Sequence, residues 1–349
     1  MRKKCYESFS VTGVANGLIF VIAMTVVISA LSSCGPARQP QQMEYQDSKE
    51  DLFSVSFPTQ KNGWACGRWG TVLHTTDGGI KWVNQDSGTD CTLSSIFFKD
   101  PIHGWAVGNS GTIIHTSDGG NTWEKQKSPI PFRHMKVFFV TPLKGWIASE
   151  RTHILATVDG GRTWQLQFAD DDFILKSISF CDELNGWAVG EYGYIYRTQD
   201  GGTTWEKQAG YFGFSKNSGT VVGDPFLFDV AAIDPQTAWA VGIDGQVIRT
   251  INGGASWVKV NAGASMTPFF CVAANPEGAI AIGGNGTFLI STDKGVSWEK
   301  PVFDPPVDYG WIYGLTGRGG SQFAAVGWHG SIYLSEGDHS LNSWHRVNM

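Results

Sequence analysis

Thr116-Ser117-Asp118-Gly119-Gly120-Asn121-Thr122-Trp123 decides the fold of this chain, because it recurs. TTDGGIKW occupies 75–82, TVDGGRTW 157–164, TQDGGTTW 198–205, TINGGASW 250–257 and STDKGVSW 291–298. A degraded copy, SEGDHSLNSW, fills 335–344. The closing tryptophans fall at 82, 123, 164, 205, 257, 298 and 344, so four of the six intervals are 41 residues, one is 46 and one is 52. A fixed period of that size marks stacked supersecondary units that bury their apolar faces against their neighbours.

The second copy gives the plan of one unit. Thr92 to Phe98 is a β-rich run ended by Lys99-Asp100-Pro101, Gly104 to Gly108 (GWAVG) is a second strand, Gly111 to Thr116 a third, and Trp123 to Gln126 opens a fourth. Four hairpin-connected strands in about 41 residues make one propeller blade. In the turn, Asp118 is expected to accept hydrogen bonds from the N–H groups one and two residues on, and Thr116 to add a hydroxyl. The two glycines supply positive φ, and Trp123 packs on the turn or the neighbouring blade. Asp77, Asp118, Asp159, Asp200 and Asp293, with Trp82, Trp123, Trp164, Trp205, Trp257 and Trp298, therefore read as structural. The fifth copy has Asn252, which keeps the acceptor and drops the charge, as suits a turn better than a catalytic carboxylate.

The second strand repeats as well: Gly63-Trp64-Ala65-Cys66-Gly67, Gly104 to Gly108, Gly145-Trp146-Ile147-Ala148, Gly186 to Gly190, Ala238 to Gly242, Ala279 to Gly283 and Phe323 to Gly327. Apolar on both faces, it reads as a strand buried between blades. The S/T-x-D-G-G-x-T-W unit resembles the Asp-box, or bacterial neuraminidase repeat. With GWAVG before it, seven copies and a lipobox, residues 51–349 resemble the photosystem II stability/assembly factor family. That resemblance implies an all-β, seven-bladed propeller with four-stranded antiparallel blades, and a non-enzymatic assembly role. The Asp-box is also found in sialidases, sortilin-type receptors and xyloglucanases, so it speaks for architecture more than for function.

The N-terminus reads as a targeting segment. Arg2, Lys3 and Lys4 precede an apolar run from Gly17 to Leu31, followed by Leu31-Ser32-Ser33-Cys34-Gly35, which resembles the bacterial lipobox. Residues 1–33 are expected to be a lipoprotein signal peptide, with lipid on Cys34; a plain signal peptide or a single anchor helix is the other reading. Diacylation supplies enough methylenes for stable anchoring. Residues 34–50 then form a polar tether. Without residues 1–33 the chain has 23 Lys/Arg against 31 Asp/Glu, a net charge of −8. That acidity sets aside nucleic acid and broad adhesion to anionic lipid. Cys66, Cys91, Cys181 and Cys271 lack CxxC spacing, so no metal site or cofactor is expected; they read as strand thiols, with a Cys66–Cys91 bridge left open.

In a propeller the Asp-box turns lie on one face, and the turns between strands two and three lie on the other with the interblade loops. The second face is the candidate contact surface. Its short turns are expected at 68–69, 109–110, 150–151, 191–192, 243–244, 284–285 and 328–329. The residues singled out there are Arg68, Trp69, Phe132, Arg133, Arg151, Tyr192, Tyr211, Phe212, Phe214, Lys216, Tyr309, Trp328 and His329. Their rings serve either as protein contacts or as plugs of the central channel and covers of blade edges; the long loop from Ala209 to Pro225 reads as contact. The glycosidase alternative is thinly supplied. Phe132-Arg133-His134 is a partial match to the sialidase Phe-Arg-Ile-Pro motif, Arg197 and Arg249 point to the Asp-box face, and Asp170-Asp171-Asp172 offers the only acid group of note. The expected protein is an exported, lipid-anchored, monomeric propeller that binds a protein partner at a membrane surface, with carbohydrate binding or sialidase-like hydrolysis as the alternative.

Overall fold

A computed structural model describes residues 50–215, 220–264, 266–304, 310–336 and 343–347. The targeting segment, Cys34 with the tether as far as residue 49, Lys216 and Tyr309 lie outside the described residues.

Seven antiparallel sheets follow one another along the chain as the seven blades of a propeller. In the second blade the strands are Leu93–Phe98, Gly104–Gly108, Ile113–Thr116 and Glu124–Gln126, close to the expected bounds. Consecutive inner strands pack against each other around the ring, and the first blade's Leu52–Ser56 meets the seventh blade's Ile312–Gly317. The GWAVG strands are buried along their whole length in all seven blades. Their tryptophans join neighbours: Trp64 stacks on Phe98 of the next blade at 3.7 Å, Trp105 on Phe139 at 3.6 Å and Trp146 on Phe180 at 3.6 Å. The Asp-box tryptophans meet the same phenylalanines edge-on from within their own blade, as Trp123 does with Phe98 at 5.8 Å.

The Asp-box closes differently from a simple Asx turn. Asp118 Oδ1 accepts the N–H of Thr122, four residues on, at 2.9 Å, and Oδ2 accepts the Thr122 hydroxyl at 2.7 Å. Thr116 Oγ1 donates to Asp118 Oδ1 and accepts the Gly120 N–H. The loop is thus cross-braced over its whole length, and Asp77, Asp159, Asp200, Asn252 and Asp293 repeat the arrangement. The inward-turned carbonyl of its first glycine is a socket for the preceding blade. Gly119 O accepts Trp64 Nε1 at 3.2 Å and Gln85 Nε2 at 2.9 Å; Gly160 O accepts Trp105 and Gln126 likewise, and Gly201 O accepts Trp146 and Gln167. The second glycine has no room for a side chain, since a Cβ on Gly120 would lie 2.0 Å from Gln85 Oε1 and its φ is +84°. At the fourth-to-fifth junction Arg197 takes the tryptophan's place and donates to Gly253 O and Pro235 O, and Arg249 reaches Lys294 O one junction on. Both arginines serve the Asp-box face, as expected.

Among the described residues no strand is exchanged across the closure. Leu52, Val55, Ala65 and Leu73 of the first blade form one apolar cluster with Ala324, Val326, Ile332 and Leu334 of the seventh. Arg318 donates to Gly78 O, the socket of the first Asp-box, and His329 N donates to Asp51 Oδ1 at 3.0 Å. Two blades depart from the four-strand plan. The outer strand of the sixth is reduced to the bridge Ile290–Glu299, and the chain that follows, Val302–Asp304, pairs in parallel with Ser343–Arg346 as a fifth strand of the seventh blade. Of the last Asp-box copy, Ser335 Oγ accepts Phe323 N at 2.7 Å, and the closing Trp344 is buried against Phe288 and Phe303. The four cysteines among the described residues are free thiols, Cys66 and Cys271 buried and Cys91 and Cys181 half-buried.

Candidate functional site

The channel mouth opens on the face opposite the Asp-boxes, and one irregularity repeated seven times builds it. In each blade the pairing of strand one with strand two slips by one residue near its start: Leu52 pairs with Gly67 but Ser54 with Cys66, and the same shift recurs round the ring. The extra residues are Phe53, Ser94, Met135, Lys176, Phe228, Phe270 and Tyr313, and all seven line one central cavity of about 180 Å³. A β-bulge re-aims the side chain it inserts. Here it turns a position that would otherwise serve the sheet into the channel.

The lining is divided. Phe228, Phe270, Tyr313 and Phe53, from blades five, six, seven and one, form an unbroken arc of ring contacts at 5.4, 6.1 and 5.4 Å. Trp311, exposed at the rim, touches both Phe270 and Tyr313. The opposite arc carries Arg133, Lys136 and Lys176 from blades three and four. Lys136 lies 3.4 Å from Asp229, and Lys176 lies 3.5 Å from Glu191. Arg133 Nε donates to Ser94 Oγ at 3.1 Å. Burial lowers the Arg133 pKa against the pull of Glu150, so its guanidinium gains from any anion brought to it.

The cavity's one lining carboxylate is fully engaged. Asp229 Oδ1 accepts Ser177 Oγ at 2.5 Å and faces Lys136, while Oδ2 accepts Val272 N at 3.0 Å. It ties blades three to six together. Asp170 accepts the Tyr196 hydroxyl at 2.8 Å, and Asp172 lies 3.7 Å from Arg151. Among these three carboxylates, Asp229 and Asp170 hold hydrogen bonds within the fold and Asp172 faces a cation. About 180 Å³ is also below the roughly 300–1,000 Å³ of small-molecule sites, and suits one or two side chains.

Around the mouth stands a second ring. The turns between strands two and three centre one residue later than the sequence suggests, on Trp69-Gly70, Ser110-Gly111, Arg151-Thr152, Tyr192-Gly193, Asp244-Gly245 and His329-Gly330. Both central residues have positive φ, the type I′ geometry of tight hairpins. Trp69 at φ 54°, Arg151 at 59°, Tyr192 at 53° and His329 at 53° hold a conformation that bulky side chains resist. Trp69, Arg151 and His329 are exposed on these turns, whereas Tyr192 is half-buried.

The residues singled out from sequence are distributed round this rim in separate groups. Arg68 pairs with Asp51 at 2.9 Å and lies over Phe53. Phe132 is half-buried, stacked on His153 and covered by Arg151 at 4.4 Å. Trp328 stacks on His329 at 3.7 Å. Tyr192 packs on Phe212, Phe173 and Phe226. Tyr211, Phe212 and Phe214 belong to a two-stranded hairpin, Phe212–Ser215 with Thr220–Gly223, where the sequence suggested a loop. Lys136, Lys176, Asp229 and the aromatic arc were not singled out. Aligning the inner strands in register with the repeat brings them into two columns, and that was the available signal.

Residues 81–138 and 132–211 match the family model described as Photosynthesis system II assembly factor YCF48. No curated protein matches the chain in sequence. Among solved structures, the chain is similar to one described as YCF48 bound to D1 peptide, at 19% identity and a TM-score of 0.68 over 87% of this chain and 97% of that one. YCF48 from Cyanidioschyzon merolae gives 19% identity and 0.64 over 83% and 96%. The GH74 xyloglucanase from Xanthomonas campestris gives 12% and 0.68 over 88% of this chain but 56% of that one. The chain is thus a seven-bladed propeller whose residues 81–211 match that family model, and the resemblance read from the repeats stands as a resemblance.

Proposed function

We propose that this assembly-factor-like propeller is a non-enzymatic, extracytoplasmic scaffolding factor, held to a bacterial membrane by lipid on Cys34. It acts as a monomer, and it holds a segment of a protein partner across the channel mouth. In a photosynthetic host the partner is a photosystem II subunit. The observation that carries this reading is the ring of seven bulges. It gives a rigid cavity with an aromatic arc on one side and Arg133, Lys136 and Lys176 on the other. Such a mouth suits an extended segment that offers an apolar side chain to the arc and a carboxylate to the cations. The peptide in the description of the similar structure supports the same class of partner.

Recovery of the partner from solubilised membranes tests it. Phe270→Ala with Lys176→Glu should lower recovery at least tenfold, about 1.4 kcal/mol. Asp118→Asn on the other face should leave it unchanged. Equal recovery from both variants sinks the channel-mouth reading, and glycan release by the wild-type protein sinks the non-enzymatic one.

A further inference from the structure

The hairpin of Phe212–Ser215 and Thr220–Gly223 is unlike the rest of the surface. A two-stranded ribbon is marginal alone in water; this one is held at its base by Phe212 against Tyr192 at 4.4 Å and Phe173 at 5.3 Å, and by Tyr211 N donating to Tyr192 O. Beyond the base it is bare: Phe214 is 64% exposed and Val221 60%. Phe214 pairs with Val221 across the ribbon and so shares one face with it, while Val222 pairs with Gly213 on the other. The first face is apolar, the second sets Ser215 and Thr220 beside Val222, and residues 211–215 and 220–223 contain no charged residue. Exposed rings and aliphatic side chains beside uncharged hydroxyls are what a segment in the interfacial zone of a bilayer presents.

The ribbon also stands on the side where the chain enters the propeller. Asp51, at the start of the first inner strand, accepts His329 N and the Arg68 side chain on that same channel-mouth face. Sixteen residue steps lead from Cys34 to Glu50, and a chain of that length spans at most about 56 Å. From these observations we infer that the hairpin is a second, non-covalent membrane contact. Its apolar residues enter the interfacial zone of the bilayer to which the chain is tethered, and the channel mouth faces that bilayer. The carboxylates beside its base, Asp170, Asp171, Asp172 and Asp224, together with the net charge of −8 beyond residue 33, fit a zwitterionic surface rather than an anionic one. The orientation rests on the lipid-anchor reading above; the affinity of the ribbon for lipid does not.

Photocrosslinking separates the two. Phe214 is replaced by the photoreactive p-benzoylphenylalanine in the full chain, purified from membranes and reconstituted in phosphatidylcholine vesicles. Val221 is replaced in a second sample, and Val158, 74% exposed on the Asp-box face, in a third. Mass spectrometry of the irradiated peptides should show phosphatidylcholine adducts at 214 and 221, at least tenfold above 158. Equal labelling at all three sites, or no adduct at 214 and 221 in protein that keeps its wild-type melting temperature, overturns the proposal. So does exclusive capture of another protein at 214 in native membranes. The mass of the Cys34 peptide in the same samples reads the anchor independently.

Discussion

The two faces of this propeller use the same elementary device, a tight turn with positive φ, to opposite ends. On the Asp-box face the turn is filled by glycine, its carboxylate is consumed internally, and its carbonyl is a socket for the blade before it. The carboxylate and the carbonyl are thus already engaged within the scaffold. On the channel-mouth face the first central residue is Trp69, Ser110, Arg151, Tyr192, Asp244 or His329, a different side chain each time. There the strain buys projection. The lesson is that repetition in this fold marks what joins blades, and divergence within an identical backbone marks what is offered to something else.

Four measurements break or sharpen that contrast. The largest effect belongs to the repeating side. Trp105→Ala removes a buried ring, its stack on Phe139 and its bond to Gly160 O, and should destabilise by about 3–5 kcal/mol in chemical denaturation. Partner recovery per folded molecule should stay at the wild-type level; a selective loss of binding would mean the junctions transmit to the mouth.

Acid comes next. Burial holds the imidazoles of His134 and His74 down at about 4, against an ordinary value of 6.5. His134 is enclosed by the hydroxyls of Ser149 and Ser128, and His74 is stacked on Trp64. A lowered histidine pKa means the unfolded chain binds protons first, so stability is full above pH 6.5 and falls as pH drops toward 4. For His134 the loss approaches about 3 kcal/mol at the acid end. His134→Asn should flatten the pH dependence of the melting temperature over that window, and an unchanged slope would remove this residue as its source.

Smaller still is the share of the rings at the mouth. Phe270→Ala should weaken partner binding more than Ser94→Ala, by about 1–2 kcal/mol. Equal effects would show that the aromatic arc only plugs the channel. The smallest effect has the opposite sign. Trp69→Asn relieves a strained left-handed residue that is 63% exposed, and should raise stability by about 0.5–1 kcal/mol while lowering binding. A destabilised variant would show that the indole packs on the rim.

How legible this was in the sequence follows the same division. The period, the blade count, the buried GWAVG strands and the facing of Arg197 and Arg249 were all readable, because junctions repeat and repetition averages out local noise. The hydrogen bonding of Asp118 was misplaced by two residues, since an Asx turn and the longer brace need the same Asp and Thr. Gln85, Gln126, Gln167 and Gln208 went unnoticed as rivets: they recur at the repeat period, but their partner is a carbonyl in another blade. The channel was hidden for a different reason. A bulge inserts one residue and inverts the alternation that assigns strand positions to faces, so Phe53, Lys176 and Phe270 look like ordinary strand residues. The hairpin at 212–223 escaped because glycine and serine interrupt its alternation on both strands.

The fifth strand of the seventh blade adds a mechanical constraint. Ser343–Arg346 lies between Tyr333–Ser335 on one side and Val302–Asp304 on the other. The chain leaving the sixth blade thus covers the edge that the seventh blade's outer strand would otherwise leave bare. The two blades share that strand as a seam, so loosening either one loosens the other.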